Sequence, residues 1–132
     1  MDKIKNKKRE MLGLLDQISK WQREIDQCQS YYRSLEGAIE AKRKSCSNEE
    51  ERSELTREIA VLNREFETKI DLLYEDLNEQ LLKGYDLACM IGREVGHDFK
   101  ALWHYMTHAT KEEVKTERVL RDIDHIKKDL SV

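Results

Sequence analysis

The chain has 132 residues, with 24 Lys/Arg against 27 Asp/Glu, 39% charged and 39% hydrophobic residues, five glycines and no proline. This length suits one domain, and the shortage of Gly and Pro excludes a turn-rich all-β sandwich. Dense charge over periodic apolar residues points to long helices, and no stretch approaches the ~18 apolar residues of a membrane span.

The basic start, residues 3–9, has no apolar stretch behind it, unlike a signal peptide. The chain therefore reads as a soluble, cytoplasmic, single helical domain. A net charge of −3 offers nucleic acid no general attraction. The charge is uneven along the chain: +4 over residues 1–46, −6 over 47–83 and −1 over 84–132. Two adjoining segments of opposite sign suit two helices lying against each other. Cys28, Cys46 and Cys89 are too few and too far apart for a disulfide framework or a zinc signature, and read as free thiols.

The first helix is expected over about 3–46. Ile4, Met11, Ile18, Ile25, Tyr32, Ile39 and Cys46 fall seven apart, and Leu14, Trp21, Cys28 and Leu35 form a second series between them. Lys7 and Lys42 are the polar ends of that second series. A strict seven-residue repeat predicts a left-handed coiled-coil seam. Such a helix is roughly 65 Å long at 1.5 Å per residue, and its narrow apolar stripe needs a partner helix.

A turn is expected at 45–48. Ser47 with Glu50 reads as a capping box, Glu49, Glu50 and Glu51 suit a helix N-terminus, and Lys42, Arg43 and Lys44 suit the preceding C-terminus. The result is a long antiparallel hairpin. The second helix is expected over about 48–84, with the alternative that it continues to 108. From Leu62 to Ala109 its apolar or small positions recur with a mean step close to 3.6, which suits a helix facing several partners. With the turn near 46–47, this helix outruns the first beyond about residue 90, where the chain must overhang, fold back or meet another chain. A last helix is expected over about 111–130. Thr110 with Glu113 supplies a second capping box, and Val119 or Leu120, Ile123, Ile126 and Leu130 form its apolar face.

Gly84, Ala88, Gly92 and Gly96 recur every four residues. Such a small-residue ladder lets backbones approach closely, and here it fits a groove for a partner helix, or a hinge, or packing of the chain's own third helix. Beside it, Phe99, Leu102, Trp103 and Met106 share one helical face, rich in the residue types that dominate interfaces. With Trp21 and Tyr32 on the seam, these residues form the expected partner-binding set. His97, His104 and His108 lie on a stripe with Glu94, and Glu94/His97 and Asp122/His125 read as ExxH and DxxH. Paired motifs of this kind hold metals in helical bundles. Here the second motif carries Asp for Glu and the histidines flank the apolar face, so solvated histidines are expected, with no metal or cofactor.

No phosphate-cradling or nucleophile motif is present. The expected function is accordingly non-enzymatic: a helical adaptor or chaperone-like subunit that binds another helical protein, for example as an escort or partner in a secretion or multi-protein complex. A self-assembling coiled-coil scaffold or stalk is the alternative, and a metal-binding helical bundle the remote one. Homo-oligomerisation remains compatible with the pattern.

Overall fold

A computed structural model describes residues 2–109 and 114–130. The fold is all-α: α1 (Asp2–Ser45), α2 (Glu49–Ile91), α3 (Arg93–His108) and α4 (Thr116–Leu130). No described helix is long and apolar enough to cross a membrane. The chain divides into two compact units, one of residues 24–74 and one of residues 1–23 with 75–132.

The 24–74 unit is a helical hairpin. Its turn is residues 46–48, with Lys42, Arg43 and Lys44 ending α1 and Glu49, Glu50 and Glu51 starting α2, each charge matching its helix dipole. The cap is Asn48 and not Ser47. The Glu50 N–H donates to Asn48 Oδ1 at 3.0 Å, and the Arg52 N–H donates to the Asn48 carbonyl at 3.0 Å. Asn and Ser are equally good caps, so the expected box slips by one residue. Glu51 is then the carboxylate three residues past the cap, and it accepts from Cys46 Sγ at 2.9 Å. Arg52 Nε also closes the turn by donating to the Cys46 carbonyl at 2.9 Å.

Along the hairpin seam, Ile25, Tyr32 and Ile70 are buried. Cys28, Leu35, Ile39, Leu55, Ile59, Leu62 and Phe66 are only half-buried. The Tyr32 and Phe66 rings meet across the seam with centroids 5.3 Å apart. Two helices cover only one narrow stripe of each other, so a seam of this width leaves most side chains partly wet.

The other unit has a closed core. The seam series continues there through Met11, Leu14 and Ile18, all buried, but Ile4 is 49% exposed, so the seam starts at Met11 and not at Ile4. Here α1 also buries Leu15, Ser19 and Gln22, which lie off the seven-residue series. The same stretch of α1 also meets α4. Gln22 Nε2 donates to Thr116 Oγ1 at 3.1 Å, and Lys127 Nζ meets Asp16 Oδ1 at 2.6 Å. Ser19 Oγ donates back to the Leu15 carbonyl at 3.0 Å, which satisfies a hydroxyl in an apolar setting.

The second helix does not continue to 108. It ends at Ile91, and Gly92, in an extended conformation (φ 163°, ψ 169°), is the one non-helical residue before α3. The chain folds back there. A Cβ on Gly84 would overlap the Phe99 ring and lie 2.7 Å from Leu14 Cδ2, and one on Gly96 would stand 3.4 Å from the Ala88 carbonyl oxygen. A continuous helix would hold residues 84 and 99 roughly 22 Å apart. Val95, Phe99, Leu102 and Met106 thereby enter the same core as Leu77, Leu81 and Ala88. The 3.6-residue phase survives the break because both helices turn that stripe inward.

The last helix starts at Thr116, later than expected. Thr110 and Glu113, the expected capping box, lie outside the described residues. Val119, Ile123, Ile126 and Leu130 are buried, and Leu120 is half-buried, which decides between the two possible phases. The helix packs on α3. Tyr105 secures this arrangement: its hydroxyl accepts from the Lys115 N–H at 2.9 Å, and the Arg118 guanidinium sits 3.9 Å above its ring.

Candidate functional site

The expected partner-binding residues divide by burial. Gly84, Ala88, Phe99, Leu102 and Met106 are buried inside the 1–23/75–132 unit by this chain's own helices. The expectation that 84–106 forms the principal outward interface is therefore corrected: the ladder's groove is filled by α3. Phe99, with no exposed surface, occupies the space that Gly84 leaves. Gly92 is exposed at the reversal and Gly96 is half-buried. Trp103 is half-buried, its ring 5.7 Å from Tyr85 and 6.0 Å from His108. Trp21 is half-buried, and Tyr32 is buried in the hairpin seam.

The large apolar surface lies elsewhere. In the hairpin unit, Tyr31, Val61 and Leu72 are 59%, 54% and 57% exposed. Val61 and Leu72 are eleven residues apart on α2, which is three helical turns and places them on one outer face. Tyr31 stands edge-on to Tyr32 at 5.4 Å, so the buried ring supports the exposed one. In the other unit Leu82 and Met90 are exposed on α2, and Leu12 on α1.

The three cysteines are free thiols, Cys28 and Cys46 half-buried and Cys89 exposed. Burial pushes the Cys28 thiol up, and the Glu51 carboxylate pushes the Cys46 thiol up by accepting its hydrogen.

His97, His104 and His108 are all exposed. The His104 and His108 rings stack at 3.8 Å, and His108 Nδ1 lies 3.0 Å from Thr107 Oγ1 and 3.2 Å from the His104 carbonyl. Glu94 and His97 do approach His125, in a cleft of about 560 Å³ lined also by Arg93, Asp98 and Asp129. The ligating atoms that converge take only His125 from the ExxH and DxxH motifs. They belong to Asp98, His125 and Asp129, and lie within 4.8 Å of one another. His125 Nε2 is 3.5 Å from Asp98 Oδ2. The neighbouring Asp129 carboxyl, hydrogen-bonded to Asp98, holds the Asp98 carboxyl above its ordinary value. Two sequence signals could have found this set, the four-residue spacing of His125 and Asp129 on one helix and an acidic residue next to His97.

The chain matches no protein-family model, no curated protein and no solved structure.

Proposed function

We propose that the chain is a non-enzymatic helical adaptor, chaperone-like in its mode of action, whose hairpin unit packs against the helices of another protein. The observation that carries this reading is the hairpin's incomplete burial. Tyr31, Val61 and Leu72 are each more than half exposed beside a seam that is itself half-wet. Burying a Val or Leu fully is worth about 1.5–3 kcal/mol, so such a surface gains from covering by further helices. The opposite charges at the hairpin's turn, Lys42, Arg43 and Lys44 ending α1 and Glu49, Glu50 and Glu51 starting α2, would set the partner's orientation more than its affinity. A place as escort or subunit in a secretion or other multi-protein complex, within the cytoplasm, fits this mode of binding.

Light scattering of the pure chain, combined with copurification from its native host, tests the reading. A monomer that retains one helical partner, and loses it when Tyr31, Val61 and Leu72 are replaced by Ser without loss of helical circular dichroism, supports it. A homo-oligomer that buries these three side chains would overturn it in favour of a self-assembling scaffold.

A further inference from the structure

The cleft between α3 and α4 plays no part in hairpin docking, and its chemistry differs from the rest of the surface. Asp98, His125 and Asp129 each offer one ligand atom, and these atoms lie within 4.8 Å of one another. His125 and Asp129 stand one turn apart on α4, the spacing that brings two side chains of a helix together, and Asp98 closes the set from α3.

The separations decide what the set can hold. The 3.5 Å between His125 Nε2 and Asp98 Oδ2 exceeds the ~2.7–2.9 Å of a charge-assisted hydrogen bond. Ligands bound at ~2.0–2.1 Å to a tetrahedral zinc ion stand about 3.4 Å apart. The pair therefore has the length of one edge of a zinc tetrahedron. Asp98 and Asp129 also share a hydrogen bond, and a dication would take the place of the proton they share.

One nitrogen and two oxygens suit zinc or its first-row neighbours, whereas calcium takes six to eight oxygens. With His125 64% exposed, water has access to the fourth position. Among the described residues no other His, Cys, Asp or Glu side chains converge in this way. The stacked pair His104/His108 presents ring faces to each other, with His108 Nδ1 already engaged.

We propose that Asp98, His125 and Asp129 bind one zinc-class divalent ion, which clamps the end of α4 to the start of α3. This site is independent of the adaptor reading.

Titration calorimetry of Zn²⁺ into the metal-free full chain, paired with thermal melting, tests the site. One Zn²⁺ binds per chain and raises the melting midpoint. His125→Ala and Asp129→Asn each weaken binding more than about tenfold and abolish the shift, while a His104→Ala/His108→Ala double variant binds as the parent does. Because His125 is exposed, His125→Ala keeps the parent's metal-free melting curve, which separates lost binding from lost folding. The proposal is overturned if the parent shows no saturable Zn²⁺ uptake, or if uptake persists in both His125→Ala and Asp129→Asn.

Discussion

The two units use the same pair of helices in different ways. In the 24–74 hairpin, α1 buries only its seven-residue series, and even that incompletely, with Cys28, Leu35 and Ile39 half-exposed. In the 1–23/75–132 unit the same helix buries Met11, Leu14 and Ile18 of the series and also a second stripe, Leu15, Ser19 and Gln22, with Gln22 bonded to Thr116 of α4. The width of a buried stripe is set by how many neighbours a helix has, and a heptad reports only one of them. Core density follows the same division. Phe99 is fully buried where Gly84 and Leu14 meet it, whereas Phe66, the chain's other phenylalanine, is half-buried against Tyr32.

That contrast can be broken most directly with the phenylalanines. Phe99→Ala is expected to cost about 3–5 kcal/mol, as for a large side chain removed from a closed core. Phe66→Ala is expected to cost only about 1–2 kcal/mol, because part of its surface is already wet. Urea unfolding measures both, and equal losses would show that the hairpin core is as dense as the other.

Glycines sharpen it next. Gly84→Ala drives a methyl group into the buried Phe99 ring and Leu14, with an expected loss of about 1–3 kcal/mol. Gly37→Ala, in the hairpin, meets nothing within 4 Å and should gain up to about 1 kcal/mol from helix propensity alone. Thermal melting reads the two opposite signs.

Smaller still, Lys127→Ala removes the ion pair to Asp16 and should lower stability by about 0.2–1 kcal/mol, an effect that fades in high salt. The least effect is kinetic. Exposed Cys89 should alkylate before Cys28, whose burial both shields the thiol and raises its pKa. Peptide mapping after a short iodoacetamide pulse gives the order.

Much of the fold was legible in the residues. The heptad from Met11 to Ile39 marks the seam, the charges on either side of 46–48 mark the turn, and Ile123, Ile126 and Leu130 mark the inner face of α4. The reversal at Gly92 was not, because the apolar phase runs on unbroken through it and a continuous helix satisfies the same pattern. The second stripe on α1 was also hidden, since two of its three members, Ser19 and Gln22, are polar, and Gln22 bonds to a helix about a hundred residues away. Gln22 shows the cost of that arrangement: its Oε1 is buried without a hydrogen-bond partner among the described residues. The Asp98/His125/Asp129 set escaped for a related reason. Neither local motif contains it, and only the rotation of α4 on α3 brings Asp98 within reach of His125.

The three-residue turn at 46–48 makes the hairpin a ruler. Its contacts are local, reaching only to Arg43 and Arg52 on either side, so it can cap arms of any length. Inserting seven residues in each arm would return every seam residue to its register and extend the hairpin by about 10 Å. The one-residue reversal at Gly92 has no such freedom, since a single insertion between residues 84 and 92 would swing Phe99 about 100° away from its place. Natural or engineered variation in length should therefore accumulate at one end of α2 and be absent from the other.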